Sequence, residues 1–352
     1  MATIQKRTSA AGETSYRVMV RLKGFPAQYQ TFKRKTDAKR WGQQTEAAIR
    51  EGRFFAANEA RKHTLSEAIE RYRQEVLEPK SPRAREDPER HLRWWHSQIG
   101  ALTLADVTPP IIAEQRGILA AGQTHYGKRR SPSTVNRYLA SLSHLFTIAV
   151  REWGWLVHNP SRNVRKLKEP RGRVRFLSPE ERERLLNACR RSRSRRLYPL
   201  VVAALSTGAR RGELLSLRWP DVDLERGVAV VHYTKNGERR ALPLAGHALE
   251  LFGDLWRTRE LDSDFVFSNR RGMSRFPRQA WDSALRHAGL QDFRFHDLRH
   301  SAASYLAMSG ATLAELAEVL GHKTLQMVKR YSHLTEQHTS SIVARMNEEI
   351  FG

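Results

Sequence analysis

Thr207-Gly-Ala-Arg-Arg-Gly-Glu-Leu-Leu-Ser-Leu-Arg-Trp219 follows an unbroken apolar run, Leu200 to Leu205, and its reading decides the fold of the C-terminal half. The run predicts a buried helix, and the glycine ends it. Arg210 is thereby held at a helix junction where it can point into a cleft. Glu213 lies three residues on, within reach across one helical turn. Further along, Val228 to Thr234 and Arg240 to Leu244 flank Lys235-Asn236-Gly237. Asn-Gly between two strand-like runs predicts a hairpin, with Lys235 at its tip in a position suited to a proton donor. His296 and Arg299 are three apart on one face of a helix. Thr312-Leu-Ala-Glu315 is a capping box opening a short helix that ends at Gly321, with His322 just beyond. Thr324 is expected to cap a last helix on which Leu325, Val328 and Tyr331 share a face.

Composition narrows the function. Lys and Arg total 61 against 37 Asp and Glu, a formal charge of +24 with a pI near 10.8. Such a surplus favours a polyanion, most simply nucleic acid. The dominant cation is arginine, as in Arg190, Arg191, Arg193, Arg195 and Arg196, which suits bidentate phosphate contacts. No stretch is long and apolar enough for a transmembrane helix, and the opening MATIQKRTSA lacks the apolar core of a secretory signal. A single cysteine, Cys189, excludes an internal disulfide framework and suits a reducing cytoplasm.

A chain of 352 residues is expected to form two or three domains. In residues 1–60, Tyr16, Val18, Val20 and Leu22 alternate with polar residues, Lys23-Gly24-Phe25-Pro26 interrupts, and Tyr29 to Phe32 resumes the pattern. A hairpin is expected there, followed after Asp37 by a helix with Trp41, Thr45, Ala48 and Ile49 on one face. Residues 61–168 read as a helical domain. Thr64-Leu-Ser-Glu67 caps a helix through Leu77, Glu78 to Pro88 reads as a loop, and Ser131-Pro132 opens a long helix with Val135, Tyr138, Leu139, Leu142, Leu145, Phe146, Ala149 and Val150 on its apolar face. Arg165 to Arg175 is a basic linker broken by Pro170 and Gly172. A third, mostly helical domain spans 169–335 and opens at the capping box Ser178-Pro-Glu-Glu181. A helical tail, 336–352, carries Ile342, Val343, Met346 and Ile350 at helical spacing. The fold class is therefore mainly α with small β elements.

Several chemistries find no support. There is no glycine-rich phosphate loop, no Gly-x-Ser-x-Gly elbow and no carboxylate pair for two-metal chemistry. His296-Asp-Leu-Arg-His300 places two histidines four apart, but lacks the glutamate of a zinc protease. Neither a metal nor another cofactor is expected.

What remains resembles a known family. Arg210 in Thr-Gly-Ala-Arg-Arg-Gly-Glu-Leu-Leu-Ser-Leu-Arg-Trp, the hairpin Lys235, His296-Asp-Leu-Arg299, Leu320-Gly-His322 and Arg330-Tyr331-Ser-His-Leu resemble the catalytic boxes of tyrosine site-specific recombinases of the phage integrase type. Box order and spacing match over about residues 175 to 340. Residues 1–60 resemble the arm-type DNA-binding module of larger integrases, and residues 61–168 their core-binding domain. The resemblance implies a nucleophile, Tyr331, forming a 3′-phosphotyrosine. It also implies a phosphate clamp of Arg210 and Arg299, a general acid in Lys235, and His296 as base or proton partner of Tyr331. His322 would donate to a phosphate oxygen, and Glu213 would orient its neighbours. His300 and His333 read as structural or DNA-contacting.

The implied partner is double-stranded DNA carrying recombination sites, bound by a homotetramer on paired sites and aided by DNA-bending or directionality factors. The tail would contact a neighbouring protomer. Arg137, His144, Arg171, Arg173 and Arg175 are candidate DNA contacts. The run Thr134 to Phe146 with Arg151-Glu-Trp-Gly154 also resembles shufflon-type DNA invertases, so inversion stands beside integration and excision. A type IB topoisomerase or a non-catalytic DNA-binding protein are the remaining alternatives.

Overall fold

Alternation of apolar and polar residues from Tyr16 to Val20 makes the middle strand of a three-stranded antiparallel sheet: β1 (Ala2–Thr8), β2 (Thr14–Val20) and β3 (Gln28–Phe32), in the order β1-β2-β3. The structure is a computed structural model. It describes the chain apart from residues 1, 9–12, 52, 125–126, 171–172, 174, 233–238 and 270, with the backbone alone for 53, 55–57 and 333–342. Val18 and Val20 are fully buried against Ala38 and Ile49 of α1 (Lys35–Arg50), forming a small core of their own. The expected hairpin is β2–β3. The additional strand β1 pairs with β2 from Ala2↔Val20 to Thr8↔Thr14. Its sequence, ATIQKRT, sends only Ala2 and Ile4 towards the core, so apolar alternation is too weak to announce it.

Four helices enclose a second core after α2 (Arg53–Lys62): α3 (Leu65–Tyr72), α4 (Pro82–Ile99), α5 (Pro109–Ala121) and α6 (Pro132–Arg151). Both halves of the Thr64–Glu67 capping box form, and α3 runs on as a π-helical turn over Arg73–Leu77. The expected loop Glu78 to Pro88 is largely helix. Pro82 occupies the first turn, where a missing N–H costs nothing. Pro88 forfeits one bond inside the helix, which buried Leu92, Trp95 and Ile99 outweigh. On α6 the expected face is buried from Val135 to Ala149, while Val150 is half-buried. Buried Asn136 ties down the segment that follows: its Nδ2 donates to Leu167 O (2.9 Å) and Glu169 Oε1 (2.7 Å), and its Oδ1 accepts from Leu167 N (2.9 Å). These elements belong to one of two compact units, Met1–Arg171.

The second unit, Gly172–Gly352, is built on α8 (Leu197–Thr207), which is buried on all sides from Leu197 to Ala204. Around it lie α7 (Pro179–Arg190), α9 (Arg211–Ser216), α10 (Gly246–Arg257), α11 (Arg278–His287), α12 (Asp297–Met308) and α13 (Leu313–Leu320). A sheet of β4 (Val222–Asp223), β5 (Val228–Val231) and β6 (Arg240–Pro243) includes the expected hairpin, whose tip lies outside the described residues. The expected last helix from Thr324 is instead two 3-10 segments, Leu325–Met327 and Lys329–Thr335, and Thr324 makes no side-chain cap. Of its expected face, Val328 and Tyr331 are buried, whereas Leu325 is exposed. The tail is α14 (Glu336–Phe351). Among the described residues, no helix is long and apolar enough to cross a membrane.

Asn136→Ala strips three hydrogen bonds and leaves the Leu167 amide unpaired. Unfolding of the N-terminal unit in urea should reveal a loss of about 1–3 kcal/mol, read as a lower midpoint at constant slope.

Candidate active site

Two helix ends build the site. Helix α8 stops at Gly208, whose φ of +60° suits glycine. A Cβ there would also fall 2.6 Å from Leu320 Cδ2. Helix α13 stops the same way at Gly321, φ +62°, where a Cβ would lie 2.7 Å from Arg240 Cδ. Both ends turn free carbonyls inward, the partially negative pole of each helix. Gly208 O accepts from Arg299 Nη1 (2.6 Å), and Leu320 O accepts from Arg299 Nη2 (2.5 Å) and Arg240 Nη1 (2.8 Å). Arg299 is 4% exposed. Burial, with Arg210 and Arg240 nearby, pushes its guanidinium down to about 10, so it stays charged at neutral pH.

One carboxylate serves the rest of the cluster. Glu213, 4% exposed, accepts from the Arg210 amide at Oε2 (2.9 Å) and from Arg210 Nη1 at Oε1 (2.6 Å), while Arg240 Nη1 reaches Oε2 at 3.3 Å. The first pair of contacts closes the opening turn of α9 and fixes Arg210 at the junction. Arg210 and Arg240 therefore share one acid while Arg299 bonds only backbone carbonyls and His322, and the surplus is positive. Arg210 and His296 line a cavity of about 530 Å3 together with Arg211, Phe276, Trp281 and Phe295.

Three histidines stand beside the arginines and Tyr331, each with different contacts. A guanidinium only donates, so the 2.8 Å contact between Arg299 Nη2 and His322 Nε2 makes that nitrogen the acceptor. The proton of neutral His322 then sits on Nδ1, which is buried and has no partner among the described residues. Burial and the surrounding arginines hold His322 down at about 4, keeping it neutral. His300 Nδ1 stands 2.5 Å from the Tyr331 hydroxyl, and the His296 and His300 rings meet edge to face with centroids 5.3 Å apart. Tyr331 itself is 2% exposed, and burial raises its phenol against the lowering effect of Arg330 and Arg299.

Of the residues singled out in the sequence, Arg210, Glu213, Arg299 and His322 form one bonded cluster. Tyr331, in the 3-10 segment Lys329–Thr335, bonds His300 of α12, the helix that carries Arg299. His296 is adjacent, but the imidazole bonded to Tyr331 is that of His300. Lys235 and Arg171 lie outside the described residues. Arg173 pairs with Asp292 (2.5 Å) and buried Asp297 (2.8 Å), and Arg175 with Glu181 (2.5 Å), so carboxylates of this chain already engage both linker arginines. Arg137 is exposed on α6, and His144 Nδ1 bonds the Tyr72 hydroxyl at 2.6 Å. No group of three or more His, Cys, Asp or Glu gathers where an ion could sit, among the described residues.

Arg240 escaped the sequence reading. Its signal was positional: it shares a strand face with Leu242, which is buried, so an arginine was bound to point at the core. The sequence reads His300 as structural or DNA-contacting, because its partner Tyr331 lies thirty-one residues further along the chain.

Comparison with known proteins bears on this geometry. The model of the phage integrase family matches residues 175–338. A shufflon-specific DNA recombinase of Escherichia coli is 34% identical over 299 residues, covering 82% of this chain and 74% of the relative. The chain belongs to the phage integrase family. Another of its relatives, an integrase of Salmonella phage P22, is 30% identical over 75% of this chain and 66% of its own length. Among solved structures, a lambda integrase dimer bound to a COC′ core site has the same fold, with a TM-score of 0.62 and 19% identity over 93% of this chain and 94% of that one. The members of the family are tyrosine recombinases and integrases, and the matched segment contains every element of the cluster described above.

Two outcomes follow from the cluster. Glu213→Gln leaves half-buried Arg210 and largely buried Arg240 without a counter-charge and should cost about 3–5 kcal/mol of stability in equilibrium unfolding. His300, also held at about 4, and His322 both titrate near 6.5 once unfolded. The unfolded chain takes up their protons first, so stability is complete above about pH 6.5 and declines as the pH falls towards 4. Urea midpoints should therefore be lower at pH 5 than at pH 7, with a shallower difference in His322→Gln.

Proposed function

We propose that the chain is a site-specific DNA recombinase that cuts and rejoins DNA through Tyr331, integrating or excising a mobile element. The observation that carries this reading is the gathering of Arg210, Arg299 and His322 into one hydrogen-bonded cluster, next to the helix position that holds Tyr331. Cutting a phosphodiester needs a nucleophile, relief of negative charge at phosphorus and a proton for the departing oxygen. The phenol of Tyr331 attacks, the Oη–P bond forms as the P–O5′ bond breaks, and the product is a 3′-phosphotyrosine. The ester keeps the bond energy, so the 5′-hydroxyl of another strand can reverse the step without ATP.

Charge relief comes from the clamp. Arg210, beside the cavity, and Arg299 meet the non-bridging oxygens, and their donors act in a water-poor setting where each is worth more than in solution. His322 adds its unpartnered Nδ1–H. Glu213 holds Arg210 and Arg240 in place, and Lys235 on the hairpin protonates the 5′-oxygen. The substrate is double-stranded DNA, in keeping with the +24 charge, and the working form is a tetramer on paired sites. Among solved relatives of this fold, a lambda integrase tetramer is bound to a Holliday junction. The exposed Val343, Met346, Ile350 and Phe351 of α14 give the tail an apolar face for a neighbouring protomer. The three-stranded N-terminal module, with Arg17 stacked over exposed Tyr29, supports an arm-binding role and so integration. Inversion is the second reading, favoured by the likeness to the shufflon recombinase over 82% of the chain.

Nicked duplexes from DNA flanking the gene should trap the wild-type protein on a 3′ end in denaturing gels. Tyr331→Phe should retard the same duplex and form no adduct. Adducts that persist in Tyr331→Phe would remove Tyr331 as the nucleophile.

A further inference from the structure

The Tyr331 hydroxyl has one hydrogen-bond partner among the described residues, His300 Nδ1 at 2.5 Å. This contact joins the nucleophilic oxygen to an imidazole that the cleavage chemistry above leaves unassigned. We propose that His300 is the group that takes the phenolic proton of Tyr331 as its oxygen attacks phosphorus, and that returns it when the tyrosine departs. The proposal rests on the recombinase reading. In the forward step the Tyr331 O–H bond breaks, an N–H bond forms at His300 Nδ1, Oη bonds to phosphorus and the 5′-oxygen leaves with a proton from the general acid. In religation the imidazolium gives that proton back to the phenolate oxygen while the incoming 5′-hydroxyl loses its own to the same acid.

Three features fit His300 to the task. Its position on α12 follows Arg299 directly, so the base and the phosphate clamp share one rigid helix. Its surroundings keep it a free base: burial, His296, Arg330 and Arg299 all disfavour the imidazolium, and Asp297 opposes them. An imidazole held neutral can receive a proton at Nδ1, with its own hydrogen on Nε2. Lastly, burial of the phenol disfavours a free phenolate, so attack gains from a base already in contact with the oxygen. His296 lies one helical turn back, its ring edge to face with that of His300.

The test is single-turnover cleavage on a nicked duplex that traps the wild type, from pH 3.5 to 9. It compares an ordinary scissile phosphate with one bearing a 5′-bridging sulfur, a leaving group that needs no proton. His300→Gln should slow cleavage of both substrates by about 10²- to 10⁴-fold, the usual share of general-base catalysis. It should also lose the acidic limb of the wild-type pH profile, whereas His296→Gln keeps that limb. Rescue of His300→Gln by the sulfur substrate would make His300 an acid instead and overturn the proposal. So would a rate equal to or above that of the wild type, the latter meaning that the contact merely restrains the tyrosine. Failure of the wild type to form any adduct would instead overturn the recombinase reading. Should His300→Gln not fold, ¹⁵N-histidine spectra of the wild type at neutral pH decide the matter. Hydrogen on His300 Nε2, with an Nδ1 signal that moves in Tyr331→Phe, is expected, and hydrogen on Nδ1 contradicts the assignment.

Discussion

Everything in the C-terminal unit answers to the cost of gathering buried Arg299, largely buried Arg240 and half-buried Arg210 side by side. Removing a guanidinium from water costs several kcal/mol after relaxation, and three like charges side by side raise that cost. A single carboxylate, Glu213, neutralises one charge. The rest of the stabilisation is backbone: Gly208 O and Leu320 O, at the ends of α8 and α13, accept from Arg299 and Arg240. These acceptors carry only partial charges, so they hold the guanidiniums without cancelling them. The cluster is left with a surplus of positive charge, which suits the phosphate of the proposed substrate. In the proposed recombinase, electrostatic preorganisation of this kind costs folding stability and returns it as transition-state stabilisation.

The same bonds fix the neighbouring histidines. Arg299 fixes the tautomer of His322 by donating to Nε2, which turns Nδ1–H into a donor. One residue along α12, His300 receives the Tyr331 hydroxyl, and one turn earlier His296 borders the cavity. Asp297, on the same helix, accepts from Arg173 and from the Arg294 amide, so the start of α12 is anchored from the segment that precedes the unit's first helix. A single helix therefore carries both Arg299 and His300, and through His300 the hydrogen bond to Tyr331.

Much of this was legible in one dimension because the relevant signals are local. A glycine after an apolar run placed Arg210 and His322 at helix ends, capping boxes at Thr64, Ser178 and Thr312 marked helix starts, and spacing joined His296 to Arg299. The missed features depend on contacts between distant segments. Strand β1 is held by β2 and has little apolar pattern of its own. Helix α4 starts at Pro82, amid residues that read as a loop, because Leu92, Trp95 and Ile99 supply a buried face downstream. Arg240 gains meaning only from Glu213 and Leu320, and His300 only from Tyr331, thirty-one residues later. The segment around Tyr331 forms 3-10 turns where a helix was expected, since Val328 and Tyr331 turn inward while Leu325 stays outside.

The central claim is that this cluster serves a covalent step at one oxygen, and mass spectrometry of the trapped complex tests it most directly. After digestion with trypsin and nuclease, the account predicts that the nucleotide remnant, attached through its 3′-phosphate, sits on the peptide carrying Tyr331. A remnant on any other peptide, or attachment through a 5′-phosphate, would contradict it.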